Sequence, residues 1–207
     1  PVVTFSGAGT PAVTLTGSGT SWSGTVTSLS GNGAVTYTMV LTDGAGNTTT
    51  TSSASAFTVD NTGPAIALTY AIASSVPANA SAAAALTYSA SASRPVKGAE
   101  VVVVKAVATE TNALASAISL SLDGSRTISA IGTLSASDTT AYFTHTVGSS
   151  DTGTATVSVT APDTAGNAAT TSSTTTFTID TTSPAAATTL TFTSSGGTVV
   201  ANSLNAT

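Results

Sequence analysis

The sequence predicts an all-β chain made of tandem β-sandwich modules, the first of which is incomplete. Two observations carry this prediction. Along Ala34–Thr42, residues Val35, Tyr37, Met39 and Leu41 occupy every second position, as expected for a strand with one buried face. A longer motif also occurs twice at a constant offset of 120 residues, which is typical of a tandem array of similar domains.

The repeated motif begins with Asp-x-Ala-Gly-Asn, continues through a Thr/Ser run and ends in Phe-Thr-Val-Asp or Phe-Thr-Ile-Asp. Its two copies cover residues 43–64 and 163–184. Glycine allows a positive φ and Asp or Asn bonds to nearby backbone, so the opening stretch predicts a hairpin connection. The offset divides the chain into residues 1–63 (module 1), residues 64–183 (module 2) and residues 184–207, where the pattern restarts.

Each module is predicted to consist of short strands between turn signals. The candidates in module 1, separated by Gly-rich turns, are Val2–Ser6, Ala12–Thr16, Thr20–Thr27, Ala34–Thr42 and Ala56–Asp60. Module 2 repeats this pattern and adds candidates at its front: Ala65–Tyr70, Ala84–Ser89, Glu100–Thr109 and Ala117–Leu122. At Ala82–Ala85, the start of a short helix is an alternative to a loop or strand. Seven or more strands in module 2 are typical of a sandwich.

The composition excludes several classes of protein. Charged residues make up only 6% of the chain, against about 25% in average domains. Four basic residues and a net charge of −5 exclude a nucleic-acid partner, which requires a basic surface. No apolar run approaches the roughly 18–20 residues that span a bilayer, so no membrane insertion is expected. The absence of cysteine excludes disulfides and thiolate metal sites.

These features resemble the tandem immunoglobulin-like repeats of large bacterial surface proteins and adhesins. The resemblance rests on Gly19-Thr20-Ser21-Trp22, on Leu41–Asn47 and on the Phe57–Pro64 junction, with counterparts in residues 163–184. It implies Greek-key immunoglobulin-like sandwiches at an extracellular cell surface. It also implies a stalk or adhesive array, but no particular ligand. The expected partners are neighbouring repeats or identical subunits, with surface glycans or a host cell surface as further candidates.

The carboxylates of the motif predict a metal site between modules. In a sandwich of this topology, the last strand starts at the pole where the chain enters and runs to the opposite pole. Asp60 therefore leads into module 2, whose first pole carries Asp163, Asn167 and Glu110. Carboxylates without a basic neighbour repel one another unless a cation intervenes, and Ca²⁺ prefers hard oxygen ligands. We expect an interdomain structural Ca²⁺, with polar turns and no ion as the alternative.

The same reasoning extends to the other copies of the motif. Asp180 is expected to bind an ion at the junction with a following module. Asp43 and Asn47 are expected to do so at the junction with a preceding module. Catalysis is not expected, because the only histidine, His145, alternates with the inward-facing residues Phe143 and Val147. No Ser lies in a nucleophile turn.

Module 1 is too short to close a sandwich, since it lacks the front of the repeat. Either the missing strands precede Pro1 in a longer protein, or they arrive from another molecule, with residues 184–207 as the donated segment. We therefore expect a non-catalytic structural or adhesive repeat. A filament or surface-layer subunit completed by strand donation and a carbohydrate-binding module are the alternatives.

Overall fold

The computed structural model describes residues 1–9, 12–27, 29–171 and 173–191. Module 1 contains β1 (Val2–Gly7), β2 (Ala12–Ser18), β3 (Ser21–Thr27), β4 (Gly33–Thr42) and β5 (Thr48–Val59). Module 2 contains β6 (Ala65–Ala73), α1 (Ala80–Ala84), β7 (Val101–Thr109), β8 (Ser119–Leu122), β9 (Ser129–Ala130), β10 (Thr140–Thr146), β11 (Gly153–Thr160), β12 (Thr170–Thr171) and β13 (Thr176–Ile179). The predicted all-β fold class is confirmed. Within the described ranges no helix has the length and apolar character needed to cross a membrane.

Module 2 is built from two sheets that share one core. A five-stranded sheet has the order β12-β6-β7-β10-β9, and a three-stranded sheet has the order β13-β11-β8. The core draws on both sheets, for example Ile66 and Leu68 from β6, Val157 from β11 and Phe177 from β13. The alternation of these residues along their strands places them on the inner faces.

Strand β7 is buried on both faces, which explains its unbroken run of valines. Val102 and Val104 belong to the inner core, whereas Val101 and Val103 pack on the outer side against Ala83 and Ile131. Helix α1 therefore covers an outer face that would otherwise be exposed. Its N-terminus is capped by Asn79, whose Oδ1 accepts a hydrogen bond from the Ala82 amide at 2.9 Å.

The expected strand at Ala84–Ser89 is wrong. The segment leaves the end of α1 and turns back to the sheet, where it makes a single bridge between Ser89 and Tyr70. The Tyr88 hydroxyl donates to the Ala83 carbonyl at 2.9 Å and holds this return in place. Burying the outer face of β7 outweighs the weak strand preference of an Ala-rich segment.

Module 1 corresponds to the second half of module 2. Its sheet has the order β1-β4-β5, in which β4 and β5 match β11 and β13, and β1 occupies the place of β8. Strands β2 and β3 form a separate hairpin, and β3 matches β10 in the 120-residue offset. The described part of module 1 holds no counterpart of β6 or β7.

The Thr/Ser runs adopt different pairings in the two modules. In module 1 the run is part of a continuous β5 that pairs with β4 on both sides of a register shift between Val35 and Tyr37, so the strand starts at Thr48 rather than at the predicted Ala56. In module 2 the run divides. Thr170–Thr171 pairs in parallel with β6, while β13 returns to β11. The run divides at Thr170–Thr171, where β6 provides a second strand with which it can pair.

The pairing of Glu100 with Arg94 predicts an acid-sensitive contribution to stability. Both guanidinium Nη atoms donate to the carboxylate, at 2.6 and 2.8 Å, and together with the Lys97 amide they lower the Glu100 pKa from 4.5 to about 2. This contribution is fully present above about pH 4.5 and is lost as the pH falls towards about 2. Arg94→Ala should therefore reduce the loss of unfolding free energy between pH 5 and pH 2.

Urea denaturation of the wild-type chain and of Arg94→Ala at several pH values measures this effect. Lys105→Ala is the control, because the Lys105 ammonium lies over the Tyr88 ring rather than beside a carboxylate. It should shift stability equally at both ends of the range. The effect is expected to be small because Arg94 is half exposed. Identical pH profiles for wild type and Arg94→Ala would contradict it.

Candidate metal centre

The two Asp-x-Ala-Gly-Asn stretches form hairpins with the same hydrogen bonds. The Asn47 amide donates to Asp43 Oδ1 at 2.9 Å, and its Nδ2 donates to Asp43 Oδ2 at 2.9 Å. In module 2 the Asn167 amide and Nδ2 donate to Asp163 Oδ1 and Oδ2 at 2.8 and 2.9 Å. The intervening glycines, residues 46 and 166, have φ of 89° and 94°. Local sequence alone thus determines this turn.

The surroundings of the two aspartates differ. Asp43 is exposed, whereas only 1% of Asp163 is exposed. The connection between β7 and β8 covers Asp163, since the Thr164 amide donates to the Ala113 carbonyl at 3.1 Å and Leu114 bridges to Asp163. The second hairpin is therefore part of a packed junction, and the first is a free loop.

Asp163 remains anionic in spite of its burial. Burial acts to raise the pKa of its carboxyl, but the hydrogen bonds from the Asn167 side chain and from the turn amides outweigh burial and lower the pKa below its usual range. The pKa of Asp43 is lowered as well, mainly by the Asn47 side chain. A buried negative charge is therefore retained beside the junction.

Asp60 brings a carboxylate from module 1 to the same place. It follows the end of β5, and its Oδ1 accepts from the Thr62 amide at 3.1 Å. Its Oδ2 accepts from Asn112 Nδ2 at 2.5 Å, and its backbone carbonyl accepts from Asn167 Nδ2 at 3.1 Å. Both of these donors belong to module 2, so Asp60 is held across the junction.

Glu110 completes a group of three carboxylates. It follows the end of β7, and its Oε1 accepts from the amides of Thr111 and Asn112 at 2.6 and 3.1 Å. One carboxylate oxygen from each of Asp60, Glu110 and Asp163 lies within 4.8 Å of the other two. Among the described residues, no Lys or Arg forms an ion pair with any of them. This acidic triad could hold a metal ion.

A groove of about 400 Å³ opens beside the triad. Asp60 and Glu110 both line it. Asn32, Thr58 and Val59 form its module 1 side, and the ends of β6 and β7 form its module 2 side. The site therefore has space for an ion together with water ligands, and the groove crosses from one module to the other.

The structure places the predicted site residues in two groups. Asp60, Glu110, Asp163 and Asn167 come together, although Asn167 contributes its Nδ2 as a donor to Asp60 and Asp163. The remaining predicted residues, Asp43, Asn47 and Asp180, lie outside the acidic triad. Asp180 repeats the turn of Asp60, with its Oδ1 accepting from the Thr182 amide at 2.9 Å.

Two further residues contribute to the junction without having been predicted. Asn112 donates to the Asp60 carboxylate, and Asn32 accepts from the Asn61 amide at 2.7 Å and donates to the Thr62 hydroxyl. The signal for Asn112 is its place two residues after Glu110, at the end of a strong strand. Asn32 lies in the predicted Gly31-Asn32-Gly33 turn.

The histidine of the chain, His145, is buried in module 2. Only 4% of His145 is exposed, and Phe143 and Val147 are buried with it as expected. Its Nδ1 bonds to the Thr127 carbonyl at 2.8 Å, and its Nε2 lies 3.2 Å from Asp151 Oδ2. The ring is thus enclosed within module 2.

Comparison of the chain with models of protein families, with curated proteins and with solved structures found no match.

The junction predicts a strict requirement for glycine at position 63. A Cβ atom built there would lie 1.8 Å from the Ala168 carbonyl oxygen, so Gly63→Ala must push the two backbones apart. We expect a loss of about 1–3 kcal/mol in unfolding free energy, the usual cost of overpacking. Urea denaturation of the whole chain measures it.

Gly98→Ala is the matched control for this substitution. A Cβ at residue 98 meets only the Thr181 Cγ2 atom, at an ordinary 3.7 Å. Its unfolding curve should stay close to that of the wild type. Equal effects of the two substitutions would show that the contact between Gly63 and Ala168 does not restrain the junction.

Proposed function

We propose that the chain is a non-catalytic structural or adhesive repeat segment of an extracellular surface protein or fibre, in which Ca²⁺ stiffens the junction between modules. The observation that carries this proposal is the convergence of Asp60 from module 1 with Glu110 and Asp163 from module 2. An ion bound by all three carboxylates links the modules directly. Without it, their negative charges oppose the close packing of the junction.

The chemistry of the site favours Ca²⁺ over Mg²⁺. Ca²⁺ accepts six to eight oxygen ligands in flexible geometry, whereas Mg²⁺ demands a near-ideal octahedron and gives up water reluctantly. The three carboxylates are held by separate backbone segments, and the adjoining groove admits water. Extracellular modules of this kind bind Ca²⁺ with dissociation constants of about 10⁻⁴–10⁻³ M.

The arrangement of the aromatic residues supports a stalk rather than a sugar-binding platform. The most exposed large hydrophobic residues in the described ranges are Val2, Leu29, Val76 and Leu190, none of which is aromatic. Trp22 is half buried, and its Nε1 donates to the Gly19 carbonyl at 3.0 Å. A carbohydrate-binding surface requires exposed aromatic faces on which sugar rings can stack.

Calcium is expected to raise the melting temperature of the chain. At a free Ca²⁺ concentration about 100 times the dissociation constant, linkage adds about 2.7 kcal/mol to the unfolding free energy. For a chain of about 150–250 residues this corresponds to a rise of about 5–11 °C. Calorimetry with Ca²⁺, with Mg²⁺ and with a chelator measures the effect, and small-angle X-ray scattering reports whether the junction stiffens.

Asp60→Asn and Asp180→Asn form a matched pair for this experiment. Both aspartates accept from the amide two residues later, at 3.1 and 2.9 Å, but only Asp60 belongs to the acidic triad. Asp60→Asn should lose the response to Ca²⁺, while Asp180→Asn should keep it. A wild-type chain whose melting temperature and scattering are unchanged by Ca²⁺ would rule out the proposal.

A further inference from the structure

Module 1 carries an apolar sheet face that is only partly covered. Along β1, β4 and β5, the side chains of Phe5, Tyr37, Met39 and Phe57 are half buried. The counterparts in module 2 of Tyr37 and Phe57, which are Val157 and Phe177, are buried in the core. The sheets of the two modules thus carry apolar residues at the same positions, but these residues are buried in module 2 and only half buried in module 1.

Module 2 shows which element covers this face. Strand β6 places Ile66, Leu68 and Tyr70 in the core, each no more than 1% exposed. The Tyr70 ring lies 6.0 Å from that of Phe177, and its hydroxyl donates to the Thr174 carbonyl at 2.7 Å. Phe57 occupies the place of Phe177 and has no such partner from a β6 counterpart in the described part of module 1.

The pairing of β5 points to the same missing strand. Thr170–Thr171 leaves the β11 sheet and pairs in parallel with residues 65 and 66 of β6. The equivalent Thr50 and Thr51 remain paired with Val40 and Met39 of β4. Module 1 therefore lacks the partner that draws the Thr/Ser run away from β4 in module 2.

Residues 184–192 have the sequence character of β6. Pro184 repeats Pro64, and Thr189-Leu190-Thr191-Phe192 repeats the alternation of Ala67-Leu68-Thr69-Tyr70, two residues further from the proline. Residues 184–191 form no strand in the structure, and 77% of Leu190 is exposed. Phe192 lies outside the described residues. An apolar residue in a strand-like pattern thus remains in solvent.

The residues around Asp180 and around Asp43 also repeat parts of the junction. Asp180 makes the same turn as Asp60, and the Thr181 hydroxyl donates to the Asp151 carbonyl as Asn61 Nδ2 donates to the Gly31 carbonyl. At the other end, Asp43 and Asn47 repeat the hairpin of Asp163 and Asn167. Two copies placed head to tail therefore bring together counterparts of Asp60, Asp163 and Asn167, whereas Glu110 and Asn112 have no counterpart in the described part of module 1.

We propose that the open face of β1, β4 and β5 binds residues 184–192 of a second copy of this chain, in the position that β6 occupies in module 2. In module 2, β6 packs its alternate apolar side chains onto the β13-β11-β8 sheet and pairs through its main chain with residues 170 and 171. The donated segment is expected to pack on the open face in the same way and to pair with Thr50 and Thr51 once they leave β4. The donor segment and the acceptor face are different surfaces, so the contact is heterologous and repeats head to tail, giving an open filament where the rotation between copies does not close and a ring where it does. This proposal goes beyond the role of the metal site and does not depend on it.

The test measures the assembly of the full 207-residue chain by light scattering across a concentration series in the presence of a chelator. The wild-type chain should assemble as its concentration rises. Leu190→Asp should prevent assembly without loss of stability, because Leu190 is exposed and outside both sheets. Thr189→Asp is the control, since its counterpart Ala67 is exposed and faces away from the core.

A peptide of residues 184–207 tests the acceptor face directly. Labelled wild-type peptide should bind the full chain carrying Leu190→Asp, and a peptide carrying the same substitution should bind at least tenfold more weakly. A wild-type chain that stays monomeric and a peptide that does not bind would each overturn the proposal. So would assembly that survives Leu190→Asp, or assembly that requires Ca²⁺ and is lost in Asp60→Asn.

Discussion

The side-chain amide of Asn167 is the contact on which the junction depends. Its Nδ2 donates both to the Asp163 carboxylate, within its own hairpin, and to the Asp60 carbonyl of the preceding module. The first bond belongs to a turn that any Asp-x-Ala-Gly-Asn stretch can form. The second bond attaches that turn to Asp60, which follows the end of β5, and so places three carboxylates side by side. Local turn chemistry thereby determines where one module meets the next.

The parts of the structure that sequence reasoning predicted are those with local or periodic causes. The hairpins follow from Asp, Gly and Asn at fixed spacing, and β4 follows from alternation that needs no knowledge of its neighbours. The grouping of Asp60 with Asp163 required only the order of strands and the direction of the last one. Each of these depends on short stretches of chain and on chain direction.

The features that the sequence did not predict depend on contacts between segments that are distant in the chain. The sequence offers a short helix at Ala82–Ala85 only as one alternative, and α1 forms there because Val101 and Val103 leave an apolar outer face on β7. The Thr/Ser runs are nearly identical in composition, yet one stays with β4 and the other divides, according to whether β6 is present. The donor role of Asn167 and the part played by Asn112 likewise arise from neighbours distant in sequence.

The close backbone approach at Gly63 affects the shape of a longer array. Residue 63 touches the Ala168 backbone and leaves no room for a side chain, whereas the equivalent position after module 2 is Ser183. A module that follows Ser183 must therefore sit farther away or at a different tilt than module 2 does after module 1. In the proposed array, the joint after Ser183 therefore differs in spacing or tilt from the joint after Gly63.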